Sequence, residues 1–362
     1  MDGTGEAVVV IMAGGWGQRL WPLSTPSRPK PLLGLGPGPS LLADAVGHAR
    51  LLASVDHVFI AASQDVAEAI RGAQTGVPDR QVLVEPGKRD TLGCLAYVLA
   101  RLEADELARP ADAVLALLTA DHVIRDVEAF RGTALRACRL ARDTGRPALI
   151  GVSPTRPEVG FGYLEVGPSA GPGYATVRRF HEKPSPDQAE TYLRHGQFLW
   201  NSGMLFCRVG VLRDRVRERV AAVDMAIARM VEAWRSRSVE AVAEAFGCIP
   251  AMSIDYALLE GWDELLVVPG EFGWDNINGW EAVHRLYPAD EAGNVVRGSA
   301  ALLDCHDCLV IHEGAAGALG ITVVGMEAAV VVVASGHVLV CPRGREFRLG
   351  QGGGSVRQGG GH

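Results

Sequence analysis

The sequence predicts an α/β protein, with a mainly parallel, doubly wound sheet followed by a small C-terminal β domain. Three observations predict it. Short apolar runs alternate with helical patterns through the first half. The helical patterns stop after Tyr287, and short β-type runs with Gly, Asp and His at the turns take over. A glycine-rich turn directly follows the first apolar run, at the carboxyl end of a strand, where sheets of this class bind ligands.

The elements follow in order. VVVIM, HVFIA, QVLVE, AVLALLT and ALIGV are too continuously apolar for half-exposed strands and read as buried ones. Between them LLADAVGHARLLA, QDVAEAIRGA, TLGCLAYVLARLEADELA and EAFRGTALRACRLARDTG have helical spacing and length. From Gly160 the pattern changes. FGYLEV and TVRRFHEK read as paired strands joined by GPSAGPGY, and WNSGMLFC as a further strand. The charged segment from Val211 to Phe246 reads as helical, and Ser253 is placed to cap a short helix IDYALLEGW. The boundaries expected are a large domain over 1–288 and a β domain over 289–349. AAVVVVA reads as a buried core strand of the latter. A Gly-rich tail over 350–362 cannot bury a core and is expected to be disordered.

Bulk properties narrow the function. The chain has 362 residues, 35 Lys+Arg against 42 Asp+Glu and a net charge of −7, which argues against a general nucleic-acid grip. No stretch has the length and apolarity of a membrane span. The opening MDGTGEAVVV lacks a charged n-region and a long h-region, so no signal peptide is expected. Seven scattered cysteines, an odd number, fit reduced thiols in a cytoplasm. Cys305 and Cys308 form a C-x-x-C with no second pair at zinc spacing, and are taken as structural.

The chemistry concentrates in VVVIMAGGWGQRLWPLSTPSRPKPLLGL. Bare backbone at Gly14, Gly15 and Gly17 lets a phosphate or nucleotide approach the N–H groups. Neither G-x-x-x-x-G-K-[ST] nor G-x-G-x-x-G can be laid on AGGWGQRL. Instead two cations follow. Arg19 offers a planar fork for phosphate oxygens, and Lys30 is framed by two prolines that limit the entropy lost on engaging a ligand.

This stretch resembles the L-A-G-G-x-G-x-R-[LF]-W-P-L-S…P-K signature of sugar nucleotidyltransferases, and Trp21-Pro22-Leu23-Ser24 resembles the mannose-1-phosphate guanylyltransferase branch. The likeness continues in order. Glu85-Pro86 with Arg89-Asp90-Thr91 resembles E-P-x-x-R-N-T, and Thr119-Ala120-Asp121-His122 resembles P-A-D-H. Pro154 to Glu158 with Gly160 to Tyr163 resembles P-T-R-P-E-T-G-Y-G-Y, and Phe180 to Pro184 resembles F-x-E-K-P. Trp200 to Met204 matches W-N-S-G-M, and Ser253 to Tyr256 matches S-I-D-Y.

The resemblance implies a Rossmann-like, glycosyltransferase-A-like catalytic domain and a C-terminal segment like a left-handed β-helix, which in this family packs on the catalytic domain or on another subunit. A homodimer is therefore an option. It implies that GTP and a sugar 1-phosphate, mannose 1-phosphate in the branch named, give a nucleotide sugar and pyrophosphate with Mg²⁺ or another divalent cation. Ala13, Gly14, Gly15 and Gly17 would hold the nucleotide, with Arg19 at its β/γ-phosphates, and Glu85, Arg89, Asp90 and Thr91 would recognise the base. Lys30 would face the reacting phosphates and Asp121 would ligate the metal. Lys183 would bind the sugar phosphate, and Gly162, Glu182 and Asn201 the sugar.

Two departures matter. The family's W-x-D-[VI]-G-x-W supplies a second metal carboxylate, but Trp274-Asp275-Asn276-Ile277-Asn278-Gly279-Trp280 puts Asn276 there and Asn278 at the Gly. Asn is a neutral oxygen ligand, so a divalent ion loses one charge of attraction. Adjacent Asp275 would point the other way in a strand unless the loop is distorted. Asp90 replaces the Asn of R-N-T, and a carboxylate cannot donate as an amide does. Alternatives therefore stay open: a guanylyltransferase for another hexose, a heptose or a cyclitol phosphate, or a catalytically weak nucleotide-sugar-binding regulator.

Overall fold

The computed structural model describes residues 7–104, 111–314 and 320–345. The expected tail at 350–362 lies outside the described residues, as does the end of the helical run after Ala104. The chain forms two compact units. One comprises Met1–Gly14, Leu42–Ala120 and Ile124–Trp274, and the other Gly15–Leu41, Asp121–Val123 and Asp275–His362. The unit that holds the C-terminal strands thus also takes in the segment after the first glycines, and compactness does not divide the chain at 288/289.

The first unit is built on β1 (Val8–Met12), β2 (Val58–Ser63), β3 (Val82–Glu85) and β4 (Val114–Thr119), with β6 (Ala148–Val152), β7 (Tyr163–Gly171), β8 (Tyr174–His181), β9 (Phe198–Arg208) and β10 (Leu266–Gly270); β5 (His122–Val123) belongs to the second unit. The sheet order is β3-β2-β1-β4-β9-β6-β10-β8-β7. The expected parallel arrangement holds for β3-β2-β1-β4 and for β6 with β10. It fails elsewhere: β9 runs antiparallel to both β4 and β6, and β8 runs antiparallel to β7 and β10. Part of the mixing comes from β7 and β8, which form a hairpin, and a hairpin needs no crossover helix; the rest comes from β9, which runs opposite to β4 and β6. Those strands extend into GPSAGPGY, leaving only a tight turn at Gly171–Tyr174.

The helices are α1 (Leu41–Ala49), α2 (Ala67–Gly72), α3 (Asp90–Ala104), α4 (Val127–Thr144), α5 (Pro186–His195), α6 (Val209–Arg219), α7 (Ala221–Arg235), α8 (Val239–Gly247) and α9 (Trp280–Leu286). Their ends follow local chemistry. Asp126 caps α4 by accepting from Ala129 N, and Ser185 and Gln188 form a reciprocal capping box on α5. Alternate residues Val8 and Val10 of β1 share a core with Leu95 and Val98 of α3 and Ile227 and Met230 of α7. The predicted helix at 254–262 is a π-helical turn over Asp255–Leu259, with Ser253 Oγ accepting from Tyr256 N.

In the second unit β11 (Asp275–Asn276) pairs antiparallel with β5. The remaining strands are β12 (Val295–Arg297), β13 (Ala300–Leu303), β14 (Leu309–His312), β15 (Ile321–Val324), β16 (Ala329–Ala334) and β17 (His337–Pro342). β12, β14 and β16 stack in parallel register, as do β13 and β15, and β17 returns antiparallel. AAVVVVA is β16, and it is mostly buried. Its Val330 and Val332 pack with Leu309, Ile311 and Trp280, and also with Leu20, Leu23, Leu33 and Leu35. The segment carrying Gly17, Arg19 and Lys30 is therefore founded on the C-terminal strands. Arg28 pairs with Glu313 across the same unit. No helix among the described residues is long and apolar enough to cross a membrane.

Candidate active site

The first unit supplies one set of predicted residues. Ala13 and Gly14 follow β1, and Ala13 N bonds Ala61 O at 2.7 Å. Gly14 is exposed, and a Cβ built on it would stand in ordinary contact, 3.9 Å, with Glu85 Oε1. Glu85, at the end of β3, is buried, and desolvation pushes its carboxyl up to about 7 against a smaller opposing hydrogen bond with Cys94. The rest of the stretch predicted to read the base goes elsewhere. Arg89 donates to Gly247 O at 2.9 Å. Asp90 takes a left-handed φ of 57° and accepts from Thr91 N, while Thr91 Oγ1 accepts from Ile254 N at 2.8 Å. Thr91 is thereby tied to the S-I-D-Y segment, and Asp90 to the backbone of Thr91.

The predicted sugar residues converge. Asn201 N donates to Gly162 O at 2.8 Å. A Cβ on Gly162 would fall 2.8 Å from Glu182 Oε2 and 2.9 Å from Phe180 Cζ, so Glu182 lies directly on the bare backbone at Gly162. Glu182 Oε1 meets Lys183 Nζ at 3.3 Å. The Glu182 side chain is 7% exposed and Lys183 is 55% exposed, so the carboxylate is sheltered and the ammonium is presented. Desolvation raises the Glu182 carboxyl, opposed by Lys183. Lys183 Nζ also lies 5.9 Å from the Tyr256 ring centroid. One member had been quoted only as part of a motif. Asp255 Oδ1 accepts from Asn201 Nδ2 at 3.0 Å, and desolvation followed by Glu182 raises its carboxyl to about 7. The signal for it was present in S-I-D-Y, but a motif position does not say which side chain it faces.

The second unit supplies the cations. Gly15 is exposed, with nothing within 4 Å of a built Cβ. Gly17 has φ 79°, and a Cβ there would come within 2.4 Å of Lys30 Cβ. Gly17 is therefore demanded by the fold, while Gly14 and Gly15 have room for a methyl and no left-handed φ. Arg19 is exposed on a short 3-10 turn. Lys30 N bonds Trp16 O at 2.9 Å, and Lys30 Nζ meets Asp121 Oδ2 at 2.6 Å. Ile277 N donates to Asp121 O, and Asn276 opposes His122 on the paired strands. Asn276 Oδ1 is buried with no hydrogen-bond donor on it. The neighbouring Asp275 carboxylate receives Nε and Nη2 of Arg285 at 3.0 and 3.1 Å. The Cys305 and Cys308 thiols donate to backbone carbonyls of Leu303, Val323, His306 and Met326.

The chain is 35% identical over 353 residues to the xanthan biosynthesis protein XanB of Xanthomonas campestris pv. campestris (strain B100), covering 94% of this chain and 71% of that one. It is 31% identical over 343 residues to the mannose-1-phosphate guanylyltransferase of Escherichia coli (strain K12), covering 92% and 70%. A solved structure named mannose-1-phosphate geranyltransferase, from Thermus thermophilus, superposes with a TM-score of 0.83 at 30% identity, over 96% of this chain and 98% of that one. With residues 8–285 matching the nucleotidyl transferase family model, this chain belongs to that family.

Proposed function

We propose that the chain transfers the guanylyl group of GTP to mannose 1-phosphate. An oxygen of the sugar phosphate forms a bond to the α-phosphorus, the bond from that phosphorus to the β-bridging oxygen breaks, and pyrophosphate leaves with the electron pair. The attacking oxygen is already anionic, so no general base is required and catalysis rests on positioning and charge neutralisation. The observation that carries the reading is the convergence of Gly162, Glu182, Lys183 and Asn201: a bare backbone that lets a sheltered carboxylate lie directly on it, a presented cation and an amide. That set suits a hydroxyl-rich ligand with one anionic group.

The triphosphate half of the reading rests on the glycine segment and the cations after it. Gly14 and Gly15 have room that the fold does not use, which supports close approach of a ligand to the backbone. Arg19 then supplies a fork for the β/γ-phosphates, and Lys30, held at Asp121, a fixed charge for the reacting phosphates. Glu85 beside Gly14 supports guanine, whose N1–H and N2–H both donate to one carboxylate. We assign Arg89, Asp90 and Thr91 to holding this frame rather than to touching the base.

The residues present fit a divalent cation such as Mg²⁺, because Asp121 offers a carboxylate and Asn276 Oδ1 is a buried oxygen acceptor without a donor. When bound, such an ion would neutralise phosphate charge beside Lys30. Asp275, engaged by Arg285, is left out of this assignment. A left-handed winding of the C-terminal coils, supported by the two parallel ladders, a homodimer and a cytoplasmic location complete the proposal.

The test is pyrophosphate release with Mg²⁺, crossing the four common nucleoside triphosphates against mannose, glucose, heptose and cyclitol phosphates. GTP with mannose 1-phosphate should give the highest kcat/KM. A higher value for another acceptor would overturn the sugar assignment. No turnover with any pair, alongside binding of GDP-mannose, would replace the enzyme by a regulatory binder.

A further inference from the structure

We infer that Asp255 is a positioning residue for the sugar phosphate, acting through Asn201. The inference rests on the proposed reading that Asn201 and Glu182 face the sugar. An asparagine amide reversed about its terminal torsion exchanges donor for acceptor, and the sugar would meet the wrong group. Here both ends of the amide are fixed. Nδ2 donates to Asp255 Oδ1 at 3.0 Å, and Oδ1 accepts from Gly203 N at 3.1 Å. Reversal would set Oδ1 against a carboxylate and the NH₂ group against a backbone N–H. One amide hydrogen and one acceptor lone pair remain for a ligand, in a single orientation.

A carboxylate does this better than an amide at 255. It is acceptor-only when ionised, so it can face only the NH₂ end of Asn201. The backbone holds Asp255 for this purpose. The π turn closes with Glu260 N donating to Asp255 O at 2.8 Å, and Ile254 N is held by Thr91 Oγ1. Single π turns are rare and, as bulges in helices, are frequent at functional sites. Asp90, Glu182 and Lys183 are the charged groups that act on Asp255, with burial and the two carboxylates opposing its ionisation and Lys183 favouring it. The proposal therefore applies in full at alkaline pH.

The experiment is steady-state kinetics at pH 8.5 with GTP and mannose 1-phosphate, on Asp255→Ala, Asp255→Asn, Asn201→Ala and the double alanine variant. Asp255→Ala should raise KM for mannose 1-phosphate by about ten-fold while KM for GTP stays within about two-fold. Asp255→Asn keeps an oxygen acceptor and should recover most of the loss. The double variant should match Asn201→Ala alone, because the two residues act as one unit. A rise in both KM values together, or losses that multiply, would overturn the positioning role. If instead Asn201→Ala leaves the sugar KM unchanged, the sugar-site reading itself is wrong, and the two failures are thereby told apart. Should Asp255→Ala not fold, the wild-type side-chain amide of Asn201, assigned by its loss in Asn201→Ala, decides by NMR. Slow hydrogen exchange, with a shift on adding mannose 1-phosphate but not GTP, is expected. Rapid exchange, or a shift with GTP alone, would refute it.

Discussion

Gly17 separates what the fold needs from what a ligand needs, and Gly17→Ala puts a number on it. The native φ of 79° lies in the left-handed region, where an L-residue pays roughly 1–2 kcal/mol. The new methyl would also arrive 2.4 Å from Lys30 Cβ and 3.1 Å from Cδ. Cβ cannot swing away as a side-chain tip can, so the Lys30 backbone must move, at an overpacking cost of about 1–3 kcal/mol. Together the loss is about 2–5 kcal/mol, a large fraction of ordinary domain stability. The same shift draws Nζ from Asp121, with which it now shares a 2.6 Å charge-assisted bond. Losing an interaction of that class on the reacting phosphates costs about 1.5–3 kcal/mol, or roughly 10- to 100-fold in kcat/KM. The assay is pyrophosphate release beside chemical denaturation, with Gly15→Ala as control. Gly15→Ala has open space for its methyl. It should keep the wild-type midpoint while weakening GTP use. A Gly17→Ala enzyme with an unchanged midpoint and kcat/KM within about three-fold would refute the argument that Gly17 positions Lys30.

Three other outcomes are expected. Asn276→Asp restores a charge to the oxygen set beside Asp121 and should lower the Mg²⁺ concentration for half-maximal rate by about ten-fold, an attraction of about 1.4 kcal/mol; an unchanged Mg²⁺ titration would remove position 276 from the metal site. Asp255 and Glu85 both have folded carboxyl pKa values raised to about 7 from 3.8 and 4.5. The unfolded chain binds fewer protons between those limits, so the denaturation midpoint should fall as pH rises from about 4 to 7 and level off above, and the double variant Asp255→Asn/Glu85→Gln should flatten the curve. Val332→Ala, in the core shared by β16 and Leu33, should cost about 1–3 kcal/mol and should also weaken GTP use, although the residue lies more than 300 positions from Gly15 in sequence order. Loss of stability with unchanged GTP kinetics would detach the C-terminal strands from the nucleotide segment.

That last expectation marks where sequence reasoning stopped. Buried strands announced themselves because β1 to β4 are apolar on both faces; the first glycines and Asp121 stood out because they follow β1 and β4, and Lys30 because two prolines frame it. Mixed strand order was not foreseen, since apolar runs such as WNSGMLFC carry no mark of direction. β9 runs opposite to β4 and β6 because of the chain's route, not its local pattern. The division into compact units was not legible for a related reason. LWPLSTPSRPKPLLGL is broken by prolines and has no period, yet Leu20, Leu23, Leu33 and Leu35 are core residues in one cluster with Ile311, Val330 and Val332. No local periodicity encodes such a pairing, because the segment is too irregular to have a face until its partners supply one. The same limit applies to Asp255. Its position in S-I-D-Y was visible, but the role follows from a 3.0 Å bond to Asn201, 54 residues away in the chain. Conversely, Asp275 stands beside the expected metal position in the sequence, and only the fold shows that its carboxylate is engaged by Arg285. In each case the residue type limits the chemistry, and the partner reached through the fold selects which part of it is used.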